Sequence, residues 1–259
     1  MRSLNGRIVL LTGAAGGVGA AAARLFVAKG ARLILVDIQR AGLDALASDL
    51  GDAALSAPAD ITDSSQLDDV VRAARERFGG IDVVVANAAI DAYAPVAEME
   101  PAVFDRVVEV NLLGTFRTTR AALPAMAGRQ GHILIINSLG SIVPAPFLSA
   151  YAASKAGLAA FADSLRLELR GSGTSVGVLY FGAVDTEHFR TGMAHPLMQR
   201  ANARIPKSLT TAAAAEDAAV AIERAIERRS RRAVFPRSNA PLLWAPRTFQ
   251  RMAERWISN

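Results

Sequence analysis

The sequence contains no cysteine and only three histidines. Without a thiol, the chain can form neither a disulfide bond nor a thiolate metal site, and it has no cysteine nucleophile. A cysteine-free chain suits a reducing compartment, so we expect a cytoplasmic protein. His188 and His195 are close in sequence, but no H-E-x-x-H or similar ligand spacing is present, and we therefore expect no metal site.

Long apolar runs are also missing. No uninterrupted stretch of about 18 apolar residues occurs, which predicts that no helix spans a membrane. The amino terminus superficially resembles a secretory signal, but four glycines interrupt its apolar run. Linkers, repeats and low-complexity tracts are absent too, so the 259 residues, 51% of them hydrophobic, are predicted to form one domain over residues 1–259.

Positive charge is concentrated at the carboxyl end. Residues 224–259 hold nine arginines against two glutamates, so this segment carries +7 and the rest of the chain −2 of the net +5. This distribution argues against a nucleic-acid partner. In the extension of about residues 236–259, one helical stripe is apolar and another basic: Phe249, Met252 and Trp256 against Arg247, Arg251 and Arg255. Such a helix would suit a membrane surface, an acidic carrier protein or a second subunit, and we favour the subunit because the helix is short for interfacial binding.

Apolar runs typical of strands alternate with helical patterns along most of the chain. This alternation predicts an α/β fold with a doubly wound, Rossmann-type parallel sheet and helices on both faces. The predicted strands include residues 7–11, 31–37, 53–57, 81–86, 132–137 and 233–235. The predicted helices include residues 42–50, 62–78, 101–126, 151–169 and 211–229.

A glycine-rich turn, residues 13–19, directly follows the first predicted strand and opens a helix. Its spacing is G-x-x-x-G-x-G rather than G-x-G-x-x-G, but strand, glycine turn and helix together are the setting in which backbone amides bind a pyrophosphate. Asp37 ends the second strand, eighteen residues beyond Gly19, where a carboxylate accepts hydrogen bonds from ribose hydroxyls and repels a 2′-phosphate. We therefore predict NAD rather than NADP. Arg40 would face a phosphate if Asp37 turned away, although a solvated helix position is the favoured interpretation.

Tyr151 and Lys155 are four residues apart in a predicted helix, and Ser138 precedes the tyrosine by thirteen residues. The spacing puts the phenol and the ammonium on one helix face, where a cation within about 4–6 Å is expected to lower the tyrosine pKa by a unit or more. Such a tyrosine exchanges protons near neutral pH. Ser138 follows the strand 132–137, so its hydroxyl is expected at the ligand-binding edge of the sheet. A packed tyrosine beside a surface lysine is the alternative interpretation.

Asn111 lies in the middle of the long helix predicted for residues 101–126. A buried asparagine needs partners for its amide, so it is expected either to brace a neighbouring strand or to hold a water molecule at the site. Pro124 predicts a kink or an earlier end of this helix.

These motifs together resemble the short-chain dehydrogenase/reductase family from roughly residue 5 to residue 190. The resemblance rests on Thr12 with Gly13, Gly17 and Gly19, on Asp37, Asp60-Ile61, Asn87-Ala88, Asn111 and Ser138, and on Tyr151 with Lys155. It implies that Tyr151 exchanges the substrate proton, that Ser138 holds the substrate oxygen, that Lys155 binds the nicotinamide ribose, and that Asn111 positions a water. It assigns cofactor contacts to Gly13, Ala15, Gly17, Val18, Gly19, Asp37, Ile38, Asp60, Ile61, Asn87, Lys155, Val184 and Thr186.

The resemblance also implies a variable lid over the substrate at about residues 186–210 and a homodimer or homotetramer. Two positions depart from the family pattern: Ala89 replaces a common glycine, and Phe181 a common proline, so that the aromatic ring is expected near the nicotinamide or the substrate. The leading hypothesis is an NAD-dependent oxidoreductase acting on an apolar secondary alcohol or ketone. The alternatives are a reductase of 3-oxoacyl thioesters, docked through the basic extension, and a nucleotide-binding protein without activity.

Overall fold

The computed structural model describes residues 3–203, 211–245, 248, 250 and 251. The strands are β1 (Ile8–Thr12), β2 (Arg32–Val36), β3 (Ala54–Ser56), β4 (Val83–Ala86), β5 (His132–Ser138), β6 (Ser175–Phe181), β7 (Val184–Asp185), β8 (Ala213–Ala214) and β9 (Arg232–Phe235). The helices are α1 (Gly17–Ala28), α2 (Arg40–Leu50), α3 (Ser64–Phe78), α4 (Pro101–Val108), α5 (Thr115–Met126), α6 (Ser149–Glu168), α7 (Glu187–Ala194), α8 (Pro196–Asn202), α9 (Ala215–Glu227) and α10 (Ala240–Trp244).

Seven strands form one parallel sheet in the order β3-β2-β1-β4-β5-β6-β9, and β7 pairs with β8 in a small second sheet. The strand order reverses between β1 and β4, which is where doubly wound sheets open a crevice at their carboxyl edge. The predicted α/β fold is therefore confirmed.

Both faces of the sheet are buried by helices. Successive strand residues point to opposite faces, so Leu10 and Val84 join the core under α3, α5 and α6, whereas Val9 and Val83 join the core under α1, α2 and α9. Each of these four side chains is at most 1% exposed. Burial on both faces explains why the strands are continuous apolar runs rather than alternating ones.

The single helix predicted for residues 101–126 is divided. Helix α4 ends at Val108, a π-helical turn covers Glu109–Gly114, and α5 follows at once. Gly114 packs so closely on Ile61 that a Cβ atom would lie 2.6 Å from the isoleucine Cδ1. Pro124 lies inside α5, which ends two residues later at Met126. A π turn in a long helix often marks a functional site, and this one carries Asn111.

A buried carboxylate ties the amino ends of two central strands together. Asp82 Oδ2 accepts a hydrogen bond of 2.9 Å from the Ile8 amide, and its Oδ1 lies 3.0 Å from Arg129 Nη1. The aspartate side chain is only 7% exposed. This contact lies opposite the carboxyl edge and therefore contributes to the fold rather than to the candidate site.

The ends of the chain are only partly described. Of the lid, the structure describes residues up to 203, which include α7 and α8, and Leu242 and Leu243 of α10 pack against the core. In the predicted basic helix, Phe249, Met252, Trp256, Arg247 and Arg255 lie outside the described residues. None of the helices in the described parts of the chain combines the length and apolar character that a bilayer crossing needs.

Candidate active site

Ser138 and Tyr151 meet at the carboxyl edge of the sheet. Ser138 is the last residue of β5, and Tyr151 lies in the first turn of α6. The serine Oγ accepts a hydrogen bond of 3.0 Å from the Gly140 amide, and its hydroxyl also interacts with the Tyr151 phenol. Strand and helix thus bring together the two hydroxyl groups that the sequence predicts at this edge.

Asn137 fixes the position of the strand end relative to the helix. Its side-chain Oδ1 accepts a hydrogen bond of 2.7 Å from the Ser138 amide, and its Nδ2 donates one of 3.0 Å to the Lys155 carbonyl. Sequence reasoning missed this residue, although a polar side chain at the end of an apolar run was an available signal. Because Asn137 contacts residues of both elements, it sets the spacing between Ser138 and α6.

Lys155 is buried one helical turn beyond Tyr151. Its side chain is almost completely enclosed, and Nζ donates a hydrogen bond of 3.0 Å to the Ile136 carbonyl. The same Nζ lies 5.7 Å from the centre of the Tyr151 ring, which agrees with the predicted shared helix face. The alternative of a surface lysine is therefore wrong.

The prediction that the pKa of Tyr151 is lowered is wrong, because the structure raises it. Burial raises the pKa of Tyr151 to about 12, the hydrogen bond with Ser138 offsets part of this rise, and the charge of Asp91 adds to it. Burial also lowers the pKa of Lys155 to about 8. Desolvation of the phenolate is the largest cause of the rise, so Tyr151 holds its proton at neutral pH.

Asn111 braces the segment that follows β4. Its Oδ1 accepts a hydrogen bond of 2.8 Å from the Ile90 amide, and its Nδ2 donates to the Ile90 carbonyl at 2.9 Å and to Ser154 Oγ at 3.0 Å. Both N–H groups of the amide therefore have protein partners. Of the two roles expected from the sequence, the structure displays the bracing one, and it joins the π turn to Ile90 and α6.

The glycine turn, residues 13–19, has no room for side chains at two positions. Gly13 has a φ of +65°, and a Cβ atom there would lie 2.9 Å from the Ala88 Cα; at Gly19 a Cβ would lie 2.0 Å from the Gly13 carbonyl oxygen. Asn87 closes the turn from the neighbouring strand, because its Nδ2 donates to the Thr12 and Gly13 carbonyls at 3.0 and 3.2 Å. The exposed backbone and the helix end behind it fit the phosphate groups of a dinucleotide.

The amino terminus of α1 is open to an anion. Its N-cap residue, Gly16, offers no side-chain hydrogen bond, and the first turn contains no acidic residue. Val18 lies in this first turn and is half-buried. The unpaired amides and the positive end of the helix dipole therefore have no competing carboxylate within the turn.

Asp37 lies directly beside the glycine turn. Its Oδ2 accepts a hydrogen bond of 3.0 Å from the Ala15 amide, and its Oδ1 accepts one of 3.0 Å from the Gln39 amide. Each carboxylate oxygen keeps a second lone pair with which it can accept a ribose hydroxyl. The adjacent Ile38 is 64% exposed, an open apolar surface that suits an adenine ring, and Arg40 is exposed at the start of α2.

Asp60 and Ile61 follow β3 on the same side of the crevice. Partial burial raises the pKa of Asp60, but hydrogen bonds from Thr62 and Arg106 outweigh this effect, so its pKa lies below the usual range. The Asp60 carboxylate is thus already engaged, with Thr62 Oγ1 at 2.8 Å and Arg106 Nη2 at 3.2 Å. Ile61 is buried against the π turn.

Val184 and Thr186 lie where β7 leads into α7. Thr186 Oγ1 caps α7 by accepting a hydrogen bond of 3.1 Å from the Phe189 amide, and its Cγ2 would lie 2.9 Å from a Cβ at Gly17. Val184 is buried in the core under α1 and α9. The lid therefore begins in direct contact with the glycine turn.

Phe181 packs inside the core at the end of β6. Its side chain is buried in the core under α1 and α9, and its ring packs edge-on against Phe235 with 6.0 Å between the ring centres. The two residues are register partners on β6 and β9. The expectation that this aromatic ring lies near the nicotinamide or the substrate stays a prediction, and Phe181 is the register partner of Ser138 on β5.

A polar cluster of Asp91, Tyr93, His188 and His195 joins the segment after β4 to the lid. His188 Nε2 lies 3.0 Å from Asp91 Oδ2, Tyr93 Oη donates a 2.5 Å hydrogen bond to the same oxygen, and the His195 ring stacks on Tyr93 at 5.0 Å. The hydrogen bond with Asp91 raises the pKa of His188, whereas burial and the Lys155 charge oppose this rise. Within the described residues, no group of three or more side chains could hold a metal ion.

Comparison with known proteins identifies a family and several relatives that this chain resembles. The sequence model of the family described as short chain dehydrogenase matches residues 7–196. Galactitol 2-dehydrogenase of Agrobacterium fabrum is 37% identical over 194 residues, or 74% of this chain and 76% of the relative, and sorbitol dehydrogenase of Cereibacter sphaeroides is 34% identical over 72% and 73%.

A solved structure gives the same result for the fold. The 3-ketoacyl-(acyl-carrier-protein) reductase from Brucella melitensis, complexed with NADH, superposes with a TM-score of 0.81 at 30% identity and covers 91% of this chain and 100% of that chain. Family match, relatives and architecture agree with one another and with the motifs at the carboxyl edge. The chain belongs to the short chain dehydrogenase family.

Proposed function

We propose that the protein is an NAD-dependent oxidoreductase that interconverts a secondary alcohol and the corresponding ketone. The observation that carries this proposal is the meeting of the Ser138 hydroxyl, the Tyr151 phenol and the buried Lys155 ammonium at the carboxyl edge of β5. Relatives named as galactitol and sorbitol dehydrogenases support the reaction type. The complete set of Asn111, Ser138, Tyr151 and Lys155 disfavours the alternative of a nucleotide-binding protein without activity.

Each of the four catalytic residues has a different proposed role. Ser138 donates a hydrogen bond to the substrate oxygen and orients it toward Tyr151. Because the pKa of Tyr151 is raised to about 12, the phenol is protonated at neutral pH and is ready to protonate the oxygen of a ketone. In alcohol oxidation the same residue must first lose its proton, and the adjacent Lys155 stabilises the resulting phenolate. Asn111 holds α6 in register and is proposed to position a water near Lys155.

The nicotinamide cofactor supplies the hydride donor or acceptor when it is bound. We propose that it is held by the glycine turn, the ends of β2 and β4, the residues after β3, and the start of the lid. The residues are Gly13, Ala15, Gly17, Val18, Gly19, Asp37, Ile38, Asp60, Ile61, Asn87, Lys155, Val184 and Thr186. The narrow, uncapped glycine turn and the Asp37 carboxylate beside it support this assignment.

The preference for NAD over NADP rests on Asp37. A 2′-phosphate at this position would meet the carboxylate, which repels it, whereas ribose hydroxyls would donate to it. Parallel titrations with NADH and NADPH, followed by nicotinamide fluorescence, test this proposal. We expect tighter NADH binding, and we expect Asp37→Ala to reduce the ratio of the two dissociation constants, whereas Asp49→Ala on α2 leaves it unchanged. Tighter NADPH binding by the wild type would point instead to Arg40 as a phosphate ligand.

A second candidate is the reduction of 3-oxoacyl thioesters. The Brucella neighbour is named for this activity and was solved with NADH, and the basic extension supplies positive charge that would suit an acidic carrier protein. Asp37 argues against this candidate if such a reductase uses NADPH. Initial rates with a 3-oxoacyl thioester and with an apolar secondary alcohol, each with both cofactors, separate the two functions.

The proposed substrate is a small molecule of apolar character, held under the lid of residues 186–210. We further propose that the protein acts in the cytoplasm, without a nucleic-acid partner, as a homodimer or homotetramer. Large apolar side chains exposed on α4, the π turn, α5 and α6 support self-association: Val103, Phe104, Leu113, Phe116 and Leu167. Sedimentation velocity tests it, because Phe116→Arg should shift an oligomer toward the monomer.

A further inference from the structure

The polar cluster of Asp91, Tyr93, His188 and His195 has no assigned role in substrate binding so far. We propose that Asp91 is a specificity-determining residue that selects substrates with a second hydroxyl group beside the reacting carbinol. This inference deepens the proposed function and rests on it.

The segment that carries Asp91 is held at both ends by the catalytic region. Asn111 binds both the amide and the carbonyl of Ile90, at 2.8 and 2.9 Å. Three residues beyond Asp91, the Ala94 amide donates a hydrogen bond of 3.1 Å to the Phe147 carbonyl, four residues before Tyr151. Asp91 is therefore fixed in a short bridge between the π turn and the segment that enters α6.

The position of the bridge puts the carboxylate close to the reacting hydroxyl groups. Asn111, which binds Ile90, also donates to Ser154 Oγ, three residues after Tyr151, and Phe147, which binds Ala94, lies four residues before Tyr151. The negative charge of Asp91 accordingly contributes to the raised pKa of Tyr151. The Asp91 side chain is 19% exposed, so it is neither buried in the core nor fully solvated. A substrate oxygen bound between Ser138 and Tyr151 thus has a partly desolvated carboxylate as a neighbour.

The hydrogen bonds within the cluster leave one carboxylate oxygen available. Tyr93 and His188 both contact Oδ2 of Asp91, whereas none of the described residues donates a hydrogen bond to Oδ1. Tyr93 is itself fixed, because its ring stacks on His195 and its Oη would lie 2.2 Å from a Cβ at Gly192 in the lid. With Oδ2 engaged by two partners, Oδ1 remains as an acceptor, and a hydrogen bond from a hydroxyl to an ionised carboxylate is roughly twice as strong as one between neutral groups. The second hydroxyl of an otherwise apolar vicinal diol would supply such a donor.

Matched substrate pairs test the inference. The wild type is assayed with NAD on 2-butanol against 2,3-butanediol and on 2-octanol against 2,3-octanediol, and the readout is the ratio of kcat/KM for the diol to that for the simple alcohol. A hydrogen bond to a charged group that the simple alcohol cannot form predicts a ratio on the order of 100, and we expect Asp91→Ala to reduce it to about 10 or less. Asp91→Asn keeps the shape without the charge and should reduce the ratio as well.

Glu98→Gln is the matched control, because Glu98 is an exposed carboxylate of the same connection between β4 and α4, and the variant should keep the wild-type ratio. A merely structural role for Asp91 would lower kcat/KM for both members of a pair by the same factor and would overturn the inference. A wild type that oxidises the simple alcohols but favours the diols less than about threefold would overturn it too while the proposed function stands. If the wild type oxidises neither class, the proposed function fails and the inference fails with it.

Discussion

Replacing Gly19 by alanine should destabilise the protein even though alanine favours helices. Gly19 lies in the first turn of α1, and a Cβ atom there would be 2.0 Å from the Gly13 carbonyl oxygen and 2.9 Å from the Ala14 Cα. Both neighbours are backbone atoms of the glycine turn, which cannot rotate away as a side chain could. The added methyl group therefore forces the turn and the helix apart.

The size of the effect follows from two opposing contributions. Alanine within a helix gains about 1 kcal/mol over glycine. Overpacking in a tight site costs about 1–3 kcal/mol, and a contact this short with rigid backbone belongs at the upper end. The net loss of about 2 kcal/mol corresponds to a fall in Tm of about 4–8 °C for a chain of this length, measurable by thermal unfolding followed by circular dichroism.

Gly16→Ala is the control within the same turn. Its Cβ would meet only the Gly13 carbonyl oxygen, at 3.5 Å, and Gly16 has a φ of −75°, which any residue adopts. This variant should melt within about 1 °C of the wild type, since no strain is introduced. The reasoning is refuted if Gly19→Ala melts at or above the wild-type temperature, or if both variants lose the same stability.

Two further predictions concern stability and pH. Asp82→Ala should lower the free energy of unfolding, measured by urea titration, by about 3 kcal/mol, because it leaves the Ile8 amide and the partly buried Arg129 without their carboxylate. The control is Asp52→Ala, which removes a solvated ion pair with Arg77 and should change the free energy of unfolding by less than about 1 kcal/mol. Equal effects of the two variants would contradict the structural role of Asp82. The rate of alcohol oxidation should rise by up to about tenfold per pH unit from about pH 7, because the Tyr151 phenolate is the minor form below its pKa of about 12. The rise should weaken above about pH 8, where Lys155 loses the charge that stabilises the phenolate. A rate of oxidation that does not depend on pH over this range would contradict the assignment of Tyr151.

Much of the fold could be predicted because its signals are local. The strands of a parallel sheet buried on both faces are continuous apolar runs, and the glycine turn between β1 and α1 is visible as a spacing of glycines. Ser138, Tyr151 and Lys155 could be brought together because a strand end and one helical turn fix their positions. The sequence also indicated that Asn111 needed partners for its amide.

Other features depend on contacts between distant segments. The π turn at Glu109–Gly114 has the apolar pattern of an ordinary helix, and its packing against Ile61 has no local signature. The spacing of Tyr151 and Lys155 reveals their proximity but not their burial, and burial determines the direction of both pKa shifts. Asp91 and His188 are far apart in the chain, so their pairing could not be predicted from sequence.

The central claim is that Tyr151 transfers the substrate proton in a nicotinamide-dependent reaction. The most direct test compares NADH formation from a secondary alcohol by the wild type and by Tyr151→Phe, together with the dissociation constant for NADH of each protein. Phenylalanine keeps the ring but removes the only proton that the side chain can exchange, so we predict a loss in kcat of at least about 100-fold with NADH binding changed less than about threefold. A Tyr151→Phe variant with near wild-type kcat would contradict the account.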